Sequence, residues 1–135
     1  MPYLIDKSAL ARIQNPTVER RLAPVIESGE AATCAIVDLE VLYSTRNRQE
    51  HTRVRTRRAL AYRKVELTET IFNRAIDVQE LLAGSGEHRL QIPDLIIAAA
   101  AKTAGMTVHH YEADFDTIAA VTRQDMEWVA PRGSL

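Results

Sequence analysis

The sequence predicts an α/β fold built on a mainly parallel sheet. Three observations predict it. Short apolar runs alternate with segments of helical periodicity along the whole chain. At 135 residues, 46% hydrophobic and 26% charged, the chain suits one ordered soluble domain that buries a real core. No internal repeat, linker or low-complexity segment interrupts the alternation, and only five Gly and five Pro occur. The domain is expected to span residues 1–131, with a short tail at 132–135.

Tyr3-Leu4-Ile5-Asp6 reads as the first strand, with Asp6 at its end. Ser8 is placed to cap a helix running through Ile13, and Asn15-Pro16 breaks it. Thr17 is placed to cap a second helix, where Val18, Leu22, Val25 and Ile26 recur at helical spacing until Ser28-Gly29. Residues 31–35 form a second strand of small residues. Residues 36–44 follow as a helix too apolar for a surface; Glu40 then has Ile36, Val37, Tyr43 and Ser44 as its i±3 and i±4 neighbours. A carboxylate on that face is costly if unpaired.

Residues 46–63 suggest an exposed basic helix or helix pair ending near Tyr62, and Val65-Glu66-Leu67 a short strand. Thr68 or Thr70 caps a long helix with Ile71, Ala75, Val78, Leu81 and Leu82 inward, stopped by Gly84-Ser85-Gly86. After a polar loop, Ile92-Pro93-Asp94 opens a helix apolar almost all round, hence buried, with Asp94 in its first turn. Gly105 caps it. Residues 107–111 form a fourth strand in which His109 and His110 alternate in and out. Phe115, Ile118, Ala119 and Val121 suggest a short helix, and residues 126–129 a last edge strand, with Trp128 in the core.

The formal net charge is −1, but its distribution is uneven. Arg46, Arg48, Arg53, Arg55, Arg57, Arg58, Arg63 and Lys64 crowd one stretch that holds a single acid, Glu50. Its default reading is a solvated helix face; the sharper one is a surface for phosphate or for a partner. The one cysteine, Cys34, excludes an internal disulfide and a Cys-based zinc cluster, and is expected to be a buried thiol. The chain shows neither a charged-then-apolar leader nor an apolar run of membrane-spanning length, so a cytoplasmic protein with no membrane is expected.

Acids stand in unexpected settings at Asp6, Glu40, Asp94 and the cluster Glu112, Asp114 and Asp116. Singly, each has an ordinary explanation: a helix-flanking acid, a partly exposed helix acid, a first-turn acid, a solvated turn. Yet Asp6 ends strand one, and Glu112 and Asp114 follow strand four. Ligands of open α/β sheets bind beyond such carboxyl ends. Carboxylates crowded together raise one another's pKa, and a divalent cation removes the conflict. The four His stand at no zinc-ligand spacing with Cys or Glu, so hard oxygen ligands around Mg²⁺ or Mn²⁺ are expected.

The chain resembles the PIN-domain ribonucleases and, within them, the VapC toxins of toxin–antitoxin pairs. The matching pieces are Leu4-Ile5-Asp6-Lys7-Ser8-Ala9-Leu10, Leu39-Glu40-Val41, Pro93-Asp94-Leu95-Ile96-Ile97-Ala98-Ala99 and His110-Tyr111-Glu112-Ala113-Asp114-Phe115-Asp116, with a familiar close at Trp128-Val129-Ala130-Pro131-Arg132-Gly133. The resemblance implies a three-layer α/β/α fold and Mg²⁺-dependent hydrolysis of RNA phosphodiesters that leaves a 5′-phosphate. It implies metal ligands at Asp6, Asp94 and Asp114. Glu40 binds metal or orients the attacking water, and Ser8 supports Asp6. The family usually has Asp-x-Asp-Phe where this chain has Glu112-Ala113-Asp114-Phe115, so Glu112 enters as a ligand either direct or through water. Lys7 stands where threonine is common and carries no assigned role. The resemblance further implies a VapB-type antitoxin that sends an Arg into the acid pocket, and a homodimer. Arg46, Arg53, Arg55, Arg57 and Arg58 are the candidates for RNA or partner contact.

Two rival readings remain at this level. One is a PIN-like module that binds RNA or protein without catalysis, which the Glu112 departure leaves open. The other is an acid-pocket phosphotransfer domain. It ranks last, because residue 8 is Ser rather than Asp and Lys102 lies within a helix.

Overall fold

The computed structural model describes residues 2–135. Strand β1 (Tyr3–Ile5) leads into α1 (Lys7–Leu10) and α2 (Pro16–Glu27). Then come β2 (Ala31–Cys34), α3 (Ala35–Tyr43), α4 (Arg48–Ala61), β3 (Arg63–Val65), α5 (Glu69–Ala83) and α6 (Ile92–Thr103). The chain closes with β4 (Thr107–His110), α7 (Asp114–Thr122) and β5 (Met126–Trp128).

The five strands form one sheet in the order β3-β2-β1-β4-β5, and every pairing is parallel. The chain first builds outward from β1 through β2 to β3. It then returns across the sheet to lay β4 on the other side of β1. The direction of winding therefore reverses at β1, the place where open parallel sheets bind ligands.

Successive strand residues face opposite sides of a sheet. Leu4 and Val108 accordingly join a core under α3, α5, α6 and α7, whereas Ile5 and Ala31 join a second core with Val18 and Leu22 of α2 and Val129 and Ala130 after β5. Helices on both faces make the fold a three-layer α/β/α sandwich, as expected. Helix α6 is its central pillar, buried at every position from Asp94 to Ala101. Leu95, Ile96 and Ile97 each contribute roughly 2 kcal/mol of burial. The alanines let neighbouring layers approach closely.

Several local expectations need correction. Asp6, not Ser8, is the cap of α1: its side chain accepts from the Ser8 N–H, because a cap uses its own carboxylate on a donor two residues on. That helix is a single turn, continued by turns to Gln14. Asn15, not Thr17, caps α2 by accepting from the Thr17 N–H. The third strand lies two residues earlier than predicted, because Arg63 and Lys64 pair with Ala32 and Thr33 at an exposed sheet edge where polar side chains are tolerated. His109 and His110 are both buried, since both faces of the sheet are covered. Leu81 is exposed; Val78 and Leu82 complete the inward stripe. Trp128 is half-buried, its ring edge-on to Tyr111. The basic segment is one helix, α4. Thr68 caps α5, Cys34 is buried, and Gly105, at φ +69°, follows the end of α6. Among the described residues no helix is long and apolar enough to cross a membrane.

Candidate active site

The carboxyl ends of β1 and β4, the start of α6 and one face of α3 converge on a cleft of about 230 Å³. Asp6, Ser8, Glu40, Asp94 and Glu112 line it, with Lys7, Arg12 and Gln91. The fold thus brings together acids from four distant parts of the chain.

Asp6 is 4% exposed. Its backbone N–H donates to the His109 carbonyl at 2.9 Å, so β1 and β4 fix it from below. Its Oδ2 accepts from the Ser8 N–H at 3.0 Å and from the Ser8 hydroxyl at 2.5 Å. The same hydroxyl accepts from the Tyr111 N–H at 2.8 Å. Ser8 therefore holds Asp6 and the end of β4 in one arrangement. The other oxygen, Oδ1, is buried and has no hydrogen-bond partner.

Asp94 is 5% exposed, in the first turn of α6. Its Oδ2 is likewise buried and unpartnered. Burial, then the charge on Asp6, then the Asp114 carboxylate beside it and the charge on Glu112 push its carboxyl up to about 8. The N-terminal end of the helix dipole favours the anion there, but burial and three neighbouring acids outweigh it.

Glu40 reaches the cleft from α3. Burial and then the charge on Asp6 raise its pKa, and Lys7 partly offsets them. Two residues earlier, Asp38 points elsewhere, to Thr33, Arg58 and Lys64. Burial works against its charge, but hydrogen bonds from Lys64, Thr33 and Arg58 prevail and hold its carboxyl below the usual range.

Asp114 opens α7. Its Oδ2 lies 3.4 Å from the Gln91 N–H, and its own N–H lies 3.4 Å from Glu112 Oε1. The Glu112 N–H donates to His110 Nδ1 at 3.2 Å. Glu112 thus both lines the cleft and lies against the first turn of α7. Asp116 does not join the cluster: it accepts from Trp128 Nε1 at 3.0 Å and faces Arg132 at 3.4 Å, tying the last strand to α7.

Oxygen donors, two of them buried without partners, and a carboxyl that holds its proton near neutrality form a set that a divalent cation fits. Among the described residues no three His, Cys, Asp or Glu side chains are drawn together closely enough to hold one.

Of the predicted basic candidates, Arg46, Arg53, Arg55 and Arg57 are exposed on and before α4. Arg46 is paired with Glu50 at 2.9 Å. Arg58 is not available at the surface. It is 8% exposed, donates to Asp38 at 3.0 Å and to Thr33 at 2.9 Å, and stacks on Tyr62. It became core because Asp38 and Thr33 sit beneath it. Sequence reasoning passed over Lys7 and Arg12, which both line the cleft. Arg12 carried a signal, since it stands four residues after Ser8, one helical turn on.

The PIN domain family model matches residues 3–121. Ribonuclease VapC21 of Mycobacterium tuberculosis is 47% identical over 133 residues, covering 98% of this chain and 96% of that protein. Ribonuclease VapC51 of the same organism is 42% identical over 135 residues, covering 100% of this chain and 98% of that protein. Among solved structures, the DNA-bound VapBC of Salmonella typhimurium superposes with a TM-score of 0.76 at 14% identity, covering 96% of this chain and 99% of that one, a likeness of fold. An acidic cleft at the reversal point of a parallel sheet, a family match over most of the chain and full-length relatives of one kind agree: the chain belongs to the PIN-domain family, in its VapC branch.

Proposed function

We propose that this protein is a Mg²⁺-dependent endoribonuclease, the toxin of a VapBC-type toxin–antitoxin pair, acting in the cytoplasm as one domain over residues 1–131. The observation that carries the reading is the pairing of two buried, unpartnered carboxylate oxygens, Asp6 Oδ1 and Asp94 Oδ2, in one cleft. Buried acids left unsatisfied cost stability, and a cation site explains why the chain carries them. The PIN family implies a divalent metal; small hard oxygen ligands favour Mg²⁺, with Mn²⁺ as substitute.

Asp6, Asp94 and Asp114 would hold the cation, and Glu112 would join directly or through water. Held by these carboxylates, a divalent ion would supply a water of lowered pKa and would offset charge on the phosphate and the leaving oxygen. Glu40 orients the attacking water and takes its proton, a task suited to a carboxyl of raised proton affinity. Attack at phosphorus would break the bond to the 3′ oxygen, which takes a proton from solvent, leaving a 5′-phosphate and a 3′-hydroxyl. Ser8 keeps Asp6 in place throughout.

The antitoxin reading draws on the VapC relatives and on α3 and α4. Leu39, Tyr43 and Leu60 are exposed there, and Leu39 lines a cavity of about 490 Å³ with Leu42, Tyr62 and Arg55. An antitoxin Arg entering the carboxylates would silence the cleft. Phe72, Ile76 and Ile92 are exposed apolar residues on α5 and α6 that suit a homodimer. The test is cleavage of RNA by purified protein with Mg²⁺, with sequencing of the cut ends. No turnover, together with salt-sensitive RNA binding, would favour the non-catalytic reading that Glu112 keeps open.

A further inference from the structure

One cation at the cleft, Arg12, is held in place without facing a carboxylate. Arg12 is half-buried and lines the cleft beside Asp6 and Glu112. Its Nη1 donates to the Ser8 carbonyl at 2.8 Å, and its guanidinium carbon lies 4.4 Å from the centre of the Tyr111 ring. The Tyr111 ring is itself held, edge-on to Trp128 at 5.3 Å, while its hydroxyl accepts from the Leu135 N–H at 2.9 Å. Ser8, which anchors Arg12 through its carbonyl, anchors Asp6 through its hydroxyl. The cation and the central carboxylate are therefore fixed to the same residue.

Arg12 is not used as a counter-ion. Among the described residues no carboxylate stands within ion-pair distance of it. A guanidinium has five N–H donors in a rigid fork. The carbonyl takes one, and the ring face takes the cation's flat side. The remaining donors are left at the edge of an acidic cleft that must admit a polyanion. A strand of nucleic acid approaching these carboxylates meets repulsion unless a cation receives its phosphates, and a preorganised guanidinium does so with little ordering cost.

We propose that Arg12 is a substrate-binding residue: clamped by the Ser8 carbonyl and the Tyr111 ring, its guanidinium grips a backbone phosphate of single-stranded RNA at the edge of the acidic cleft. The inference rests on the ribonuclease reading and deepens it. Tyr111 is the positioning residue, acting through Arg12. The exposed arginines of α4 attract RNA from a distance, whereas Arg12 fixes its register at the reacting site.

The test is equilibrium binding of a labelled single-stranded RNA to the full-length chain in EDTA, where no cleavage occurs, across a salt series. Losing one phosphate contact on a single strand lowers the slope of log affinity against log salt by about 0.7. Arg12→Gln is expected to bind about 10-fold more weakly, with the slope reduced by that amount. Arg12→Lys keeps the charge and hence the slope, but loses the bidentate fork and binds a few-fold more weakly. Tyr111→Leu weakens binding with the slope unchanged. Thermal unfolding of each variant reports whether it folds, and if Arg12→Gln does not, the Lys and Leu variants carry the test. A folded Arg12→Gln, or failing that both other variants, with wild-type affinity and slope overturns the assignment while wild-type binding leaves the ribonuclease reading standing. Wild-type protein that neither binds RNA nor cuts it with Mg²⁺ overturns both.

Discussion

The Ser8 hydroxyl donates to Asp6 Oδ2 across 2.5 Å and in turn accepts from the Tyr111 N–H, so one small side chain joins the end of β1 to the end of β4. Replacing it tests how far the cleft depends on that link. Ser8→Ala leaves the Tyr111 N–H without its partner and Asp6 with only the Ser8 backbone donor. A loss of about 1–2 kcal/mol in stability is expected. Loss of a group that orients a ligand predicts a roughly 10-fold to 100-fold loss in cleavage. Ser8→Thr keeps the hydroxyl and should retain most of both. Urea unfolding and rate measurements on the pair of variants check this; an Ala variant as active as wild type contradicts it.

Asp94 predicts a dependence on pH. Its folded pKa, about 8, lies above the ordinary aspartate value of 3.8. Between the two the folded chain holds a proton that the unfolded chain has released. Metal-free stability therefore falls as pH rises through that window, with the loss complete above about 8. The raised Glu40 acts in the same direction. Thermal melts in EDTA at pH 6 and pH 9 should show this decline, and Asp94→Asn should flatten it. Mg²⁺ or Mn²⁺ should restore the melting temperature at pH 9.

His110 gives the opposite sign at lower pH. Burial lowers its pKa to about 4, and it sits between the rings of Phe115 and Trp128 with Nδ1 accepting from Glu112. The folded chain keeps it neutral where the unfolded chain takes a proton. Its contribution is present above the ordinary value of 6.5 and is lost as pH falls toward 4. The NMR titration of the His110 ring should show no protonation at pH 6. A ring that titrates near 6.5 contradicts its burial.

The two acids with orphaned oxygens should behave as functional residues that cost stability. Asp6→Asn and Asp94→Asn remove like-charge repulsion. At pH 9, where Asp94 is ionised, the metal-free Asp94→Asn variant should melt a few degrees higher than the unsubstituted chain, as about 1 kcal/mol shifts a domain of this size by roughly 4 °C. Both variants should lose at least the roughly 100-fold that even supporting groups of metal sites cost. Calorimetric melting and cleavage assays on the same samples separate the two effects.

Arg57 and Arg58 are adjacent but should respond differently. Arg58→Met strips Asp38 of one buried partner while Lys64 remains, so about 2 kcal/mol of destabilisation is expected, below the usual range for breaking a buried pair. Arg57→Gln touches an exposed side chain and should leave stability within about 0.5 kcal/mol. It should weaken RNA binding and the salt dependence instead.

Much of this was legible in the sequence. Alternating strand and helix patterns gave the parallel sheet, and Asp6 and Glu112 announced themselves as acids just past apolar strands. Asp94 was visible as an acid opening an all-apolar helix. Side-chain direction was less legible. His109 and His110 looked alternately exposed because period-two reasoning assumes one wet face, and here helices cover both. Arg58 looked like its neighbours because nothing local in the sequence shows Asp38 and Thr33 lying beneath it. Asp116 shares a turn with Asp114, yet the Trp128 indole, twelve residues on, claims it. The place of Arg12 four residues after Ser8 was legible, but its task was not, because that lies in Tyr111, which only the pairing of β1 with β4 brings near.

On the proposed mechanism, Asp6 and Asp94 share a divalent cation that enables RNA hydrolysis. The most direct measurement is cleavage of RNA by the purified chain with Mg²⁺, in parallel with EDTA and with the Asp6→Asn and Asp94→Asn variants. Cut RNA bearing 5′-phosphates is expected in the first reaction and intact RNA in the other three. Cleavage that persists in EDTA, or in either variant, would contradict it.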